Sequence, residues 1–306
     1  MGKIALVFSG QGAQRPGMGR ALYETSKAAY KVFDAAEALR PGTIRQCFEG
    51  DALELTETVN AQPCLFAVDL ACAAAVVEGG IAPDCAAGFS LGEVAGVAFA
   101  GMLSFDRAFS FVIRRGQLMQ QCGERNPGGM MAALRMTAEQ AEAACMQVGD
   151  AWPVNYNCPG QTVLSCALDK MDALEEAVKQ AGGRAMRLNV SGAFHSPFML
   201  EAADALLDIL RAERINDPAI PLYANQSAML YAGDYPKLLA GQVAAPVRWQ
   251  ESVERMIQDG VDTFIEIGAG ATLAGLIRKI DGEVRAFSVE DDESLNACLE
   301  AMRGNH

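Results

Sequence analysis

The sequence predicts an α/β protein: a hydrolase-like core with a mostly parallel sheet plus a ferredoxin-like inserted small domain. Three observations predict it. The first half alternates short apolar runs with helical patterns, the order that winds helices around a parallel sheet. A later stretch of about sixty residues runs β-α-β-β-α-β, the ferredoxin-like arrangement. Between them, Gly88-Phe89-Ser90-Leu91-Gly92 follows a short apolar run. That is the Gly-x-Ser-x-Gly turn which lifts a serine from a strand end just before a helix.

Taken in order, residues 4–8 form a buried first strand, and Ser9-Gly10-Gln11-Gly12-Ala13-Gln14 forms a loop. Helical spacing covers residues 22–39, with Tyr30, Phe33, Ala36 and Leu39 three apart on one expected face. Gln62-Pro63 opens an apolar helix that reaches residue 77. Residues 85–89 suit a buried parallel strand feeding a helix from Leu91. In the insertion, residues 130–135 read as a strand, and Thr137-Ala138-Glu139-Gln140 is a capping-box match opening a helix to about residue 148. Strands at 152–157 and 162–167 are joined by Cys158-Pro159-Gly160-Gln161. A helix over 171–181 stops at Gly182-Gly183, and a last strand covers 184–190. Helices at 197–211 and 249–258 and strands at 220–224 and 263–267 follow. The expected domains are therefore 1–126 with 194–306, and 127–193 between them. No repeat or low-complexity segment interrupts this order.

Composition bounds the function. The 306 residues are 51% hydrophobic and 21% charged, as in a folded domain and not a disordered chain. A net charge of −13 argues against nucleic acid as a partner. An anionic partner would need a local cluster of bases, with Lys279, Arg278 and Arg187 as candidates. No apolar run approaches the roughly 20 residues of a membrane helix, and the N-terminus reads as a strand and not a cleavable signal. A cytoplasmic protein is expected, acting as a monomer without membrane contact. Nine cysteines contain no Cys-x-x-Cys pair, and two histidines are too few for the usual zinc sets. Buried free thiols are expected, and no metal site.

One of the two histidines, His306, ends the chain, so imidazole chemistry falls to His195, in the run Val190-Ser191-Gly192-Ala193-Phe194-His195. A serine needs a neighbouring base to become a nucleophile, and Ser90 and His195 are the pair on offer. They lie on either side of the insertion, which puts the expected site in the cleft between the domains. The helix N-terminus after Ser90 offers N–H groups and a partial positive charge to an oxyanion. The Gln11 loop lacks the lysine of a phosphate-binding loop, so its expected role is a second N–H donor. Arg114 and Arg115 sit in one helical run; either both are solvated, or one turns inward to hold a carboxylate. The imidazole can be oriented by an acid or by a backbone carbonyl, and the sequence does not identify which carbonyl.

Taken together, Gly10-Gln11-Gly12, Gln62-Pro63, Ser90-Leu91-Gly92-Glu93, Arg115-Gly116 with Met119-Gln120, residues 155–161, Gly192 to His195, Pro246-Val247-Arg248-Trp249 and residues 266–270 resemble the malonyl-CoA:acyl carrier protein transacylases and the related polyketide synthase acyltransferase domains. Each segment is weak alone; the set in this order is specific. The resemblance implies an enzyme whose Ser90 takes malonyl from malonyl-CoA and passes it to the phosphopantetheine thiol of acyl carrier protein, a transient partner. No bound cofactor is implied. His195 is the implied base and acid, the N–H groups of Gln11 and Leu91 the oxyanion hole, and Arg115 the partner of the malonyl carboxylate. The backbone carbonyl of Arg248 is the implied orienter of His195, and Phe194, Phe89, Gln62 and Asn157 are implied pocket residues. Phe194 would leave little room for an α-methyl group. Three positions depart from the family's usual pattern: Phe89 replaces histidine, Ser9 replaces proline, and Gly268-Ala269-Gly270 replaces Gly-Pro-Gly. Activity is expected to survive Phe89, since the base role falls to His195. The competing readings are a serine esterase or thioesterase and a catalytically silent carrier-binding subunit.

Overall fold

Two sheets carry the chain in a computed structural model that describes residues 2–190 and 192–303; Ser191 and His306 lie outside the described residues. The first part contains β1 (Lys3–Phe8), α1 (Arg20–Thr25), α2 (Lys27–Leu39), α3 (Thr43–Glu49), α4 (Ala52–Thr56), α5 (Thr58–Glu78), β2 (Cys85–Gly88), α6 (Leu91–Phe99) and α7 (Phe105–Arg125). Next come β3 (Gly128–Leu134), α8 (Ala138–Val148), β4 (Ala151–Cys158), β5 (Gln161–Ala167), α9 (Met171–Gln180) and β6 (Arg184–Arg187). The chain ends with α10 (Leu200–Arg211), β7 (Leu222–Tyr223), α11 (Tyr235–Gly241), α12 (Trp249–Gln258), β8 (Val261–Ile267), α13 (Thr272–Ile280), β9 (Arg285–Val289) and α14 (Asp292–Arg303).

The larger sheet has the order β7-β2-β1-β8-β9, and every pairing in it is parallel. Its central strands are buried on both faces, which is why β1 reads as an unbroken apolar run. The smaller sheet, β4-β5-β3-β6, is antiparallel throughout. The Thr137 capping box opens α8 as the sequence predicts. The segment before α12 is bonded to the smaller sheet: Val247 N–H donates to Val154 O (2.8 Å), and Tyr156 N–H donates to Val247 O (2.9 Å).

Several expectations need correction. The helix predicted over 22–39 breaks at Ser26, whose hydroxyl accepts from Ala29 N–H and starts α2 afresh. Of its predicted stripe, Phe33 and Ala36 are fully buried while Tyr30 and Leu39 are 46% and 40% exposed. A strict spacing of three drifts by about 60° per step on a helix of 3.6 residues per turn, so its two ends rotate out of the core. α5 begins before Gln62-Pro63, and Pro63 lies inside it. At 21 residues α5 is long and apolar enough to span a membrane, contrary to the reading of the sequence, where Asp69 divides the run. It is instead the core helix, with 83% of its apolar window buried inside the protein. β6 ends at Arg187, short of residue 190, and a turn of 3-10 helix, Pro197–Met199, precedes α10. All nine cysteines are free and buried.

Candidate active site

The loops that leave the carboxyl ends of β1, β2, β7 and β8 converge, the usual position of ligand crevices in parallel α/β sheets. β1 and β2 are neighbours with Phe8 opposite Gly88, so residues 9–11 and residues 89–90 emerge side by side. Ser90 occupies the junction of β2 and α6 at φ 54°, ψ −105°. A non-glycine residue at positive φ persists only where its surroundings impose it. Here Asn225 imposes it: Ser90 N–H donates to Asn225 Oδ1 (2.7 Å), and Asn225 Nδ2 donates to Gly88 O (2.6 Å). The flanking glycines are required by contact. A Cβ on Gly88 would lie 2.0 Å from the Gly92 carbonyl, and one on Gly92 would lie 2.2 Å from Phe8 O.

His195 Nε2 stands 2.7 Å from Ser90 Oγ. Its Nδ1 faces two carbonyl oxygens, Gln242 O at 2.8 Å and Ala245 O at 3.1 Å. Carbonyls only accept, so Nδ1 carries the proton and Nε2 is free to accept from the serine hydroxyl. These carbonyls replace the one expected from Arg248. Arg248 is the N-cap of α12, and its carbonyl is taken by Ser252 N–H (3.0 Å) and Ser252 Oγ (2.9 Å). Burial and the nearby Arg115 push the His195 imidazole down to about 4 despite its two carbonyl partners, so it is neutral near pH 7.

Arg115 and Arg114 separate as the amphipathic face of α7 dictates: Arg114 is exposed and Arg115 is buried. Arg115 Nη2 reaches Ser90 Oγ at 3.2 Å and donates to Gln242 Oε1 at 2.8 Å. Its Nε is buried with no hydrogen-bond partner among the described residues. Burial lowers it to about 10, opposed by Glu93, so it stays a cation. Glu93 is fully buried one helical turn after Ser90, and burial raises it to about 7 against Tyr231, Asn225, Arg115 and Gln242, which all favour its charged form. Gln242 links the set, with Nε2 donating to Ser90 O (2.9 Å) and Glu93 Oε2 (3.0 Å).

The remaining expected residues fall around this centre. Leu91 is the first residue of α6, where an N–H has no intrahelical acceptor. Gln11 lies in the loop after β1, its Nε2 donating to Thr58 Oγ1 (3.2 Å). Gln62 is buried beside it, donating to Gln11 Oε1 (3.4 Å), while Gln62 Oε1 has no partner among the described residues. Asn157 is buried on β4 with its Oδ1 likewise unpartnered. Phe194 is buried in the main core next to His195. Phe89 stands edge-on to Trp249 with ring centres 5.6 Å apart. Sequence reasoning missed Asn225, Gln242, Ala245 and Tyr231. All lie in irregular segments or at helix ends with no periodic signal, although Glu93 stood inside the quoted Ser-Leu-Gly-Glu run.

A buried serine on a strained elbow, a neutral imidazole within reach and a cation beside both are the equipment of an enzyme that carries an acyl group on serine. Residues 5–290 match the family model described as acyl transferase domain. A malonyl CoA-acyl carrier protein transacylase from Bacillus subtilis is 40% identical, covering 99% of this chain and 98% of its own length. Among solved structures, the malonyl CoA-acyl carrier protein transacylase of Clostridium perfringens superposes with a TM-score of 0.95 at 34% identity, covering 99% and 98% of the two chains. A malonyl-transacylase in complex with a type II PKS acyl-carrier protein gives 0.94 at 32% identity, covering 98% and 99%. The chain belongs to the malonyl CoA-acyl carrier protein transacylase family of acyltransferases.

Proposed function

We propose that the protein moves a malonyl group from malonyl-CoA to the phosphopantetheine thiol of an acyl carrier protein through an ester on Ser90. The observation that carries malonyl as the acyl group is the buried Arg115 guanidinium beside the dyad, with Nε lacking an acceptor. A malonyl carboxylate supplies that acceptor and a charge-assisted pair; a neutral acyl chain does not.

The steps follow from the geometry. His195 Nε2 takes the Ser90 hydroxyl proton as Oγ attacks the thioester carbonyl. The oxyanion is held by the N–H groups of Leu91 and Gln11. Collapse expels the coenzyme A thiolate, which receives the proton from His195. The carrier thiol then gives its proton to His195 and attacks the ester, and collapse returns that proton to Ser90 Oγ. Gln242 O and Ala245 O hold the ring through both halves without adding a buried acid. Phe194, Phe89, Gln62 and Asn157 line the acyl end in this reading.

Docking of an anionic carrier protein would rest on local cations. Lys279 is exposed on α13, which packs against β4, and its charge is felt at Cys158 beside Asn157. Arg187 is already paired with Asp172 and Glu175, whereas Arg278, exposed beside Lys279, keeps its charge while donating to Ala286 O. A cytoplasmic monomer acting on malonyl-CoA and carrier protein completes the proposal.

The test is transfer. The protein is incubated with malonyl-CoA, separated from it, and mixed with phosphopantetheinylated carrier protein. Malonyl appearing on the carrier thiol is expected. Loss of the acyl group to water alone would make the protein a thioesterase, and no acylation would leave a silent carrier-binding subunit.

A further inference from the structure

α5 is apolar nearly all round, yet it carries Thr58, Gln62 and Asp69, four and then seven residues apart. Such intervals fall on one helix face, and all three residues meet the loop after β1. Gln11 Nε2 donates to Thr58 Oγ1, Gln62 Nε2 donates to Gln11 Oε1, and Ser9 Oγ donates to Asp69 Oδ1 at 2.8 Å.

The Asp69 contact is the unusual one. Asp69 is fully buried, and its Oδ2 has no hydrogen-bond partner among the described residues. Burial holds its carboxyl well above the usual range, against the Ser9 hydrogen bond, which favours the charged form. The exit of β8 closes the other side. Ser9 N–H donates to Ile267 O (3.0 Å), and Gly268, at φ 111°, leaves room that a Cβ would remove, since it would lie 1.9 Å from Asp69 Oδ1 and 2.6 Å from Ser9 Oγ. The loop is thus gripped between α5 and β8 two residues before Gln11. An incompletely bonded buried carboxyl lowers stability compared with an apolar side chain of similar size. Its place directly under this loop gives it a use.

We propose that Asp69, acting through Ser9, is a positioning residue that fixes the backbone of residues 9–11 and so aims the Gln11 N–H at the oxyanion formed on Ser90. The inference rests on the acyltransferase reading and adds two residues to it. It predicts an effect on the chemical step and not on malonyl-CoA binding.

The experiment measures kcat and KM for malonyl transfer, with the rate of Ser90 loading followed by quenched-flow mass spectrometry. The proteins are the unaltered chain, Ser9→Ala, Asp69→Asn, Asp69→Ala and the Ser9→Ala/Asp69→Ala double variant. Complete loss of one oxyanion donor costs about 100- to 1,000-fold, so a misaimed donor is expected to lower kcat and the loading rate roughly 10-fold in Ser9→Ala and Asp69→Ala. KM should stay within about twofold, the double variant should be no slower than the singles, and Asp69→Asn should recover most of the rate. Ser9→Ala removes only a hydroxyl and keeps the test alive if Asp69→Ala does not fold. An unchanged kcat in Ser9→Ala, or losses that multiply in the double variant, would overturn the inference. If the unaltered chain fails to load malonyl, the acyltransferase reading falls first; if it loads and Ser9→Ala loads equally fast, only this inference falls.

Discussion

Burial and the cation beside the dyad set what His195 can do. Burial, and after it the Arg115 cation, push the imidazole down to about 4, so in the free enzyme the base is already deprotonated well below the ordinary histidine value of 6.5. The acid limb of kcat/KM attributable to His195 should therefore lie below about pH 5, and Arg115→Leu should move it upward by removing the cation. A pH–rate profile of both proteins checks this; a limb near 6.5 in the unaltered protein would contradict the neutral, carbonyl-held ring. Arg115 also sets selectivity. Hydrogen bonds to charged groups contribute about 1.5–3 kcal/mol, so Arg115→Ala should lower kcat/KM for malonyl-CoA by about 10- to 100-fold while acetyl-CoA is little affected. Equal losses on both substrates would remove Arg115 from the acyl end.

At the scale of the elements, the elbow is held from outside its own segment. Asn225, just after β7, satisfies Ser90 N–H and Gly88 O at once. Asn225→Ala would leave both without that partner, at about 1–3 kcal/mol each. Urea denaturation should show a loss of about 2–4 kcal/mol together with a fall in kcat, and a loss below about 0.5 kcal/mol would mean that the elbow keeps its shape unaided. The same distinction explains what the sequence could reveal. β1, β2, α6 and the small domain's strand–helix order announce themselves through apolar runs, a capping box and paired glycines, because those signals are local. Ser90 and His195 were legible through a motif and through scarcity. The carbonyls of Gln242 and Ala245 carry no side-chain signal, and a contact such as Ser90–Asn225 spans 135 residues. The expectation of Arg248 failed for a local reason: its carbonyl starts α12.

At the scale of the whole molecule, the site depends on the segment around Val247 being held against the smaller sheet. The backbone bridge to β4 fixes the segment that also supplies Ala245 O to His195. The charge balance matters at this scale too, because a chain of net charge −13 repels any anionic partner except at a local cationic site. Lys279→Glu should raise KM for the carrier protein several-fold, with an effect that shrinks as salt rises, and leave KM for malonyl-CoA nearly unchanged. Equal changes for both substrates would place docking elsewhere. In the proposed mechanism Ser90, served by the neutral His195, carries the malonyl group. The most direct test is peptide-level mass spectrometry of the protein after brief exposure to malonyl-CoA. The predicted result is a malonyl ester on Ser90 in the unaltered chain, absent in Ser90→Ala and formed far more slowly in His195→Ala. A malonyl group on another residue, or equal labelling of the Ser90→Ala variant, would contradict it.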